Sequence, residues 1–196
     1  MESYLVIILL SIIILFKYFN QSEVIYQEFN NNGIKKIYLV REMPDKDDAV
    51  KILGKLDITL KNLVKTLVKD NSINSEMLGY IKTIVNRIDS VVIQESSADS
   101  KYTSYSVNKG EILVFCLRSK RSYKIHDFND LLYVAIHEIA HIGCPELGHT
   151  PLFFKINKFL INKAIEKGIY KYIDYSRDIK EYCGIDLTVT VADNIQ

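Results

Sequence analysis

Features that mark secreted and nucleic-acid-binding proteins are scarce in this sequence of 196 residues. It has only three cysteines (Cys116, Cys144 and Cys183), an odd number too small for the disulfide framework of a secreted domain. That count suits a reducing compartment, and one disulfide with one free thiol is the alternative. The formal net charge of +1 gives no overall electrostatic reason to bind nucleic acid. The sequence also has no internal repeat and no low-complexity segment.

Histidine is scarce too, with four residues in the chain, so the placement of each one is informative. His137 and His141 lie four positions apart, with Glu138 after the first, in Val134-Ala-Ile-His-Glu-Ile-Ala-His141. This is the H-E-x-x-H pattern, in which both imidazoles project from one face of a helix toward one metal ion. The carboxylate between them can take a proton from the hydrolytic water. The pattern predicts a zinc site with Glu138 as the general base.

A third ligand is needed, because hydrolytic zinc sites use three protein ligands and one open position. His149 is the favoured candidate, since the turn at 143–148 contains Gly and Pro and lets the chain fold back toward the metal. Glu166 or Asp174 is the alternative, as a carboxylate ligand. The fourth histidine, His126, precedes the helix and is expected outside the metal sphere.

Other side chains could assist at such a site. Cys144 comes just after the signature helix, where a thiolate could bind zinc, but a small buried side chain is the favoured interpretation. Cys116 and Cys183 are interpreted in the same way, as core cysteines. A tyrosine or a basic residue usually stabilises the oxyanion of peptide hydrolysis. The candidates are three tyrosines downstream of the third ligand, Tyr170, Tyr172 and Tyr175.

The longest apolar run, Tyr4–Phe16, carries no charge and continues to residue 19 after one lysine. It predicts an N-terminal transmembrane helix over 1–19, in contact with the membrane through residues 4–19. A cleaved signal peptide and a buried core helix are the alternatives. Lysines follow the run, at Lys17, Lys35 and Lys36, and favour a single-pass protein whose catalytic domain faces the cytoplasm.

The remaining pattern predicts a tether with a first strand at 20–45, followed by a catalytic domain at 46–196. Helical spacing of apolar residues predicts helices in addition to the signature helix, over 47–68 with a kink at Gly54, 75–88 and 152–167. Alternating residues predict a β-hairpin over 102–117 and a last strand at 185–191. The expected fold is α+β, with the active-site helix and further helices packed on a small antiparallel sheet.

The sequence resembles the WLM (Wss1-like) metallopeptidases, which are related to the SprT-like zincins. The matching stretches are Ile112–Arg118, Phe128–His141 and Gly148–Phe153. The resemblance implies a minimal zincin domain with His137, His141 and His149 as zinc ligands and Glu138 as the catalytic base. Two further stretches, 172–177 and 181–184, resemble the tail of membrane-anchored WLM-like proteins of large DNA viruses.

These observations predict a zinc-dependent metallopeptidase that acts on a protein or peptide substrate. A groove beside the edge strand of the hairpin is expected to bind that substrate as an added strand. One alternative is a DNA-protein crosslink repair protease of the Wss1/SprT type, which would use the basic loop at 118–124 to contact nucleic acid. A second alternative is a non-catalytic, membrane-bound interaction protein whose zinc is structural.

Overall fold

A computed structural model describes residues 2–19, 24–189 and 191, and it alternates helices with short strands. The helices are α1 (Glu2–Phe19), α2 (Lys46–Leu67), α3 (Ser75–Ile88), α4 (Phe128–Gly143) and α5 (Pro151–Glu166). The strands are β1 (Val24–Asn31), β2 (Ile34–Arg41), β3 (Val92–Glu95), β4 (Tyr105–Val107), β5 (Ile112–Phe115), β6 (Lys180–Tyr182) and β7 (Ile185–Leu187). The predicted helices form within one or two residues of their expected bounds.

The main sheet has five strands in the order β1-β2-β3-β5-β4. Its outer pairs are antiparallel, but β2 pairs with β3 and β3 with β5 in parallel. The prediction of a small antiparallel sheet is therefore wrong. Parallel neighbours need a crossover connection, and α2 and α3 supply one between β2 and β3.

The first hairpin replaces most of the expected tether. Asn32 and Gly33 both have positive φ, 49° and 82°, as a two-residue hairpin turn requires, and they join β1 to β2. Phe29 of β1 is buried, and its ring packs so close to Gly54 that a Cβ added to this glycine would lie only 2.4 Å from a ring carbon. Gly54 thus allows close packing of α2 on the sheet, and the helix runs through it from Lys46 to Leu67. Residues 20–23 of the expected tether lie outside the described residues.

Capping side chains fix where the helices begin. Asn74 accepts a hydrogen bond from Met77 N at the start of α3, and Asp127 accepts one from Asn129 N at the start of α4. Thr150 does the same for Phe153 N of α5. Such caps satisfy backbone donors that have no partner inside the helix. Because α4 packs against α2, α3, α5 and β4, its side chains lie at the centre of the hydrophobic core.

The N-terminal apolar run forms α1, a helix of 18 residues whose described side chains are exposed. At about 1.5 Å per residue such a helix is roughly 27 Å long, which is short of a hydrocarbon core of about 30 Å. Within 2–19, 24–189 and 191, no helix has the length and apolar character needed to cross a membrane. The predicted transmembrane helix and the single-pass, cytoplasm-facing location are therefore wrong, and the predicted membrane contact through residues 4–19 is not supported.

A small antiparallel pair, β6 and β7, lies apart from the main sheet. A disulfide between Cys116, just after β5, and Cys183, in the turn between β6 and β7, joins the two. Both cysteines are buried as expected, but they are bonded, so the alternative of one disulfide with one free thiol is what forms. Cys144 is the free thiol, and it is buried as predicted.

Candidate active site

Helix α4 presents its two histidines and the intervening glutamate from one segment near its C-terminal end. The helix ends at Gly143, where a Cβ would lie 2.9 Å from the Ile84 side chain of α3. The chain then turns through Gly148, which has a φ of +77° that favours glycine, and delivers His149 just before α5. Lys109 holds this turn, because its Nζ donates to the carbonyl of Cys144 at 3.2 Å.

The three predicted histidine ligands converge. One ligand atom from each of His137, His141 and His149 lies within 4.8 Å of the others. The Nε2 atoms of His137 and His149 are 3.0 Å apart. Two nitrogens bound tetrahedrally to zinc at about 2.1 Å lie roughly 3.4 Å apart, so this cluster has the dimensions and the donor type of a zinc site.

A single phenylalanine packs against all three imidazoles. The Phe153 ring stacks on His141 at a centroid distance of 4.1 Å and meets His137 and His149 edge-on at 4.8 and 4.9 Å. Phe153 is fully buried in the first turn of α5. Because every ring of the cluster contacts this side chain, hydrophobic packing limits the positions that the histidines can take.

Burial sets the protonation of the cluster. It lowers the pKa of His137 to about 3 and that of His141 to about 4, with the charges of neighbouring histidines acting in the same direction. Both imidazoles are therefore neutral at pH 7, with lone pairs that can bind a metal. Burial raises the pKa of Glu138 to about 7. A carboxyl group with such a pKa can both accept and return a proton near neutral pH.

The histidines and Glu138 lie in a cleft of about 960 Å³. One wall is the edge strand β4 with the residues before it, and another is β7 with the segment that follows it. The lining is largely apolar and includes exposed side chains at the rim: Leu147, Phe154, Ile185 and Val189. The cleft is therefore open to solvent along an unpaired strand edge.

The tyrosine candidates Tyr170, Tyr172 and Tyr175 do not line this cleft. The first and the last are buried, and Tyr175 donates a hydrogen bond to the carboxylate of Asp130 at 2.9 Å. Three other tyrosines line the cleft with Glu138, namely Tyr105, Tyr133 and Tyr182, and reasoning from the sequence missed them. Tyr182 is almost fully buried. Its position next to Cys183 was the available signal, since the disulfide brings this segment to β5.

The alternative metal ligands lie elsewhere. Glu166 pairs with Lys163 at 2.8 Å, and Asp174 accepts a hydrogen bond from Ser176. His126 accepts a hydrogen bond on Nε2 from the backbone N–H of Cys183 at 3.1 Å. Over the part of the chain that the structure describes, the three histidines are the one group of at least three possible metal-ligating side chains.

The basic loop at 118–124 begins with a buried cation. Arg118 is fully buried and forms ion pairs with Glu95 and with Asp45, the latter at 2.7 Å. The second oxygen of Glu95 accepts a hydrogen bond from the backbone N–H of Arg41 at 2.7 Å. This network ties the ends of β2, β3 and β5 together, so Arg118 serves the sheet and not the protein surface.

Comparison with known proteins finds relatives in viruses. No protein-family model matches the sequence. Uncharacterized protein R325 of Acanthamoeba polyphaga mimivirus is 44% identical over 150 residues, which are 76% of this chain and 76% of that protein. The chain belongs to the family of this mimivirus protein. A relative in Invertebrate iridescent virus 3, uncharacterized protein 042R, is 39% identical over 82 residues, which cover 42% of this chain and 50% of that protein.

Two solved structures resemble the structure of this protein. A Wss1 mutant from Saccharomyces cerevisiae is similar over 67% of this chain and 91% of that one, with 18% identity and a TM-score of 0.46. A Wss1 mutant from S. pombe is similar over 64% and 92%, with 20% identity and a TM-score of 0.42. Similarity at this level does not assign an activity.

Proposed function

We propose that this protein is a zinc-dependent metallopeptidase that hydrolyses peptide bonds in a protein or peptide substrate. The observation that carries the proposal is the convergence of His137, His141 and His149 in one cleft, beside the buried carboxyl group of Glu138. A structural zinc site is usually closed by a fourth protein ligand, whereas a catalytic site has three and an open position. Three histidines in an open cleft therefore favour catalysis.

The metal would be held by the three histidines through ring nitrogens. Neutral imidazoles suit zinc, and the low pKa values of His137 and His141 keep these rings unprotonated at pH 7. When bound, zinc polarises a carbonyl group and lowers the pKa of water.

Glu138 moves the proton during hydrolysis. As the water oxygen bonds to the substrate carbonyl carbon, the Glu138 carboxylate accepts a proton from that water. The carboxyl group then gives the proton to the amide nitrogen as the C–N bond breaks, and so the products are a carboxylic acid and an amine. A pKa of about 7 for Glu138 suits both transfers.

The substrate would bind as an extended peptide along β4. This strand is the edge of the main sheet and lines the cleft, so its backbone can pair with another strand. The apolar rim at Leu147, Phe154 and Ile185 would contact alternate side chains of the peptide. We therefore expect apolar side chains near the cleaved bond.

The decisive experiment compares the wild-type protein with Glu138→Gln, which keeps the shape of the side chain and removes the base. Zinc content is measured together with hydrolysis of fluorescein-labelled casein and of short apolar peptides. We expect turnover to fall by at least about 100-fold with the zinc content unchanged. Glu166→Gln is the matched control, because that glutamate is exposed on α5 and does not line the cleft.

Two outcomes would contradict the proposal. If the purified wild-type chain binds no zinc, the metal site is wrong. If it binds zinc but cleaves neither casein nor the peptides, or if Glu138→Gln cleaves them as fast as wild type, the metal is structural.

A further inference from the structure

We propose that Tyr182 is a second catalytic residue, whose hydroxyl group donates a hydrogen bond to the substrate carbonyl oxygen as negative charge develops there. This inference rests on the proposed function. Peptide hydrolysis places charge on that oxygen, and removing one donor to such an oxyanion costs about 10²–10³ in rate. The residues described so far leave this role unfilled.

The position of Tyr182 meets the first requirement, which is access to the reacting atoms. Its ring is almost fully buried, with 1% of the residue exposed, yet the side chain lines the same cleft as Glu138 and the three histidines. A rigid donor at the wall of a cleft, shielded from bulk water, is the arrangement that stabilises an oxyanion most strongly.

The hydroxyl group is held by one polar neighbour. The Oγ of Ser104 lies 2.7 Å from the Tyr182 hydroxyl oxygen and accepts a hydrogen bond from the backbone N–H of Cys116 at 3.1 Å. We assign Ser104 as the donor in the first of these hydrogen bonds, with the Tyr182 hydroxyl oxygen as its acceptor. The Tyr182 proton is then available to an acceptor in the cleft, and the chain of hydrogen bonds polarises it.

The ring is held on its other sides. His126 stacks on it with a centroid distance of 4.9 Å and an interplanar angle of 30°. Cys183 follows directly, and its disulfide to Cys116 anchors the segment to the residue that also donates to Ser104. The donor is therefore fixed before substrate arrives, and no reorganisation is needed when charge develops.

The electrostatics agree with this geometry. Burial raises the pKa of the Tyr182 phenol well above its usual value, and the charge of Glu138 raises it further. The phenol therefore remains protonated at neutral pH and can act as a donor.

Two other donors that line the cleft, Tyr133 and Lys109, are engaged elsewhere. The Tyr133 hydroxyl donates to the carbonyl of Val189 at 3.0 Å. The Nζ of Lys109 donates to the carbonyls of Cys144 and Pro145. Neither group can turn to a substrate without giving up a contact that shapes the cleft, so Tyr182 is a better assignment than either of them.

The test compares wild type with Tyr182→Phe, which keeps the ring and its stacking on His126. Casein hydrolysis is measured on the zinc-loaded proteins, and binding of a phosphinic peptide with apolar side chains is measured by calorimetry. This probe carries a tetrahedral anionic centre in place of the cleaved amide. We expect kcat to fall about 100-fold with KM nearly unchanged. Affinity for the probe should also fall at least 10-fold, with zinc content and thermal midpoint close to wild type.

Two further variants separate catalysis from packing. Tyr175→Phe also removes a buried hydroxyl, one that bonds to Asp130 and does not line the cleft. It should lower the thermal midpoint and leave kcat unchanged. Ser104→Ala removes the neighbour of the Tyr182 hydroxyl, and we expect it to lower kcat by a smaller factor, about 5-fold for one neutral hydrogen bond.

The outcomes distinguish this inference from the proposed function. If Tyr182→Phe keeps kcat within twofold of wild type, or binds the probe as tightly, Tyr182 has no such role. If the wild type cleaves nothing but binds the probe more tightly than Tyr182→Phe does, the peptidase proposal fails and the assignment of the Tyr182 donor stands.

Discussion

The two sides of the cleft are built by different means. The metal side, formed by α4, α5 and the turn between them, is held by hydrophobic packing, with Phe153 against all three histidines. The hairpin side, formed by β6 and β7, is held by one disulfide and a few polar contacts around Tyr182. Packing thus fixes the groups that would bind metal, whereas cross-links fix the wall that faces substrate. The two sides should therefore fail separately.

The largest effect is expected on the metal side, from Phe153→Ala. Removing a fully buried phenylalanine costs about 3–5 kcal/mol of unfolding free energy, and here it also frees three imidazoles. We expect this loss in denaturant unfolding, with weaker zinc binding by calorimetry. The neighbouring Phe154 is 47% exposed, so Phe154→Ala should cost less than about 1 kcal/mol. Equal effects of the two substitutions would show that packing does not order the metal side.

The next effect breaks the hairpin side alone. Reduction of the disulfide, or Cys183→Ser, removes a cross-link between residues separated by 67 positions, which corresponds to about 4 kcal/mol in the chain-entropy account. We expect faster amide exchange in β6 and β7, lower turnover and an unchanged zinc content. Cys144→Ala is the control, since this buried thiol forms no disulfide. In this variant, reductant should speed amide exchange as much as it does in wild type. Loss of zinc on reduction would mean that the two sides are not separate.

A smaller effect sharpens the comparison through pH. His126→Phe keeps a ring beside Tyr182 but leaves the Cys183 N–H without its acceptor, at a cost of about 1–3 kcal/mol above pH 7. Burial lowers the pKa of His126 in the folded protein, so below about pH 6.5 the unfolded chain binds a proton that the folded chain does not. Wild type therefore loses stability as the pH falls through this range. The difference in unfolding free energy between wild type and His126→Phe should narrow accordingly.

This pH dependence is measured by denaturant unfolding of both proteins without metal, from pH 8 to pH 5. His137 and His141 also have lowered pKa values, but they are present in both proteins and cancel in the difference. A difference that stays constant, or widens, toward acid pH would contradict the assigned protonation of His126.

The smallest effect concerns an exposed contact of the hairpin. Arg121 pairs with Asp186 at 3.1 Å and donates to the carbonyl of Gly184, and both side chains of the pair are about half exposed. Arg121→Ala should cost no more than about 1 kcal/mol, and less at high salt, because exposed ion pairs are screened. Lys124→Ala, in the same loop, is the control. A loss of unfolding free energy as large as that expected for the disulfide would show that this exposed ion pair contributes as much as the disulfide to holding the hairpin side.

The sequence predicted the metal side better than the hairpin side, and the reason is physical. An amphipathic helix and a ligand pattern such as His137-Glu138…His141 are local, so spacing along the chain reports them. Tyr182 reaches the cleft through a disulfide and contacts distant in sequence, which no local pattern encodes. The position of Tyr182 could have been found only by asking which cysteine forms a disulfide with Cys183.

The strands show the same limit. β1 is an edge strand with alternating exposure in which Phe29 is buried, and its polar outer residues resemble a tether. The Asn32-Gly33 pair was the available signal for a hairpin. β3 has only four residues, and its parallel pairing depends on the crossover through α2 and α3, which the sequence pattern alone does not reveal.

The burial of Arg118 has a consequence for how this protein would meet a polyanion. The loop at 118–124 carries four cations, but Arg118 is neutralised inside the sheet and Arg121 is paired with Asp186. Among the residues that the structure describes, no acidic side chain forms an ion pair with Lys120 or Lys124. A nucleic acid bound through this loop would release only about two condensed counterions, so its affinity should fall with roughly the second power of the salt concentration.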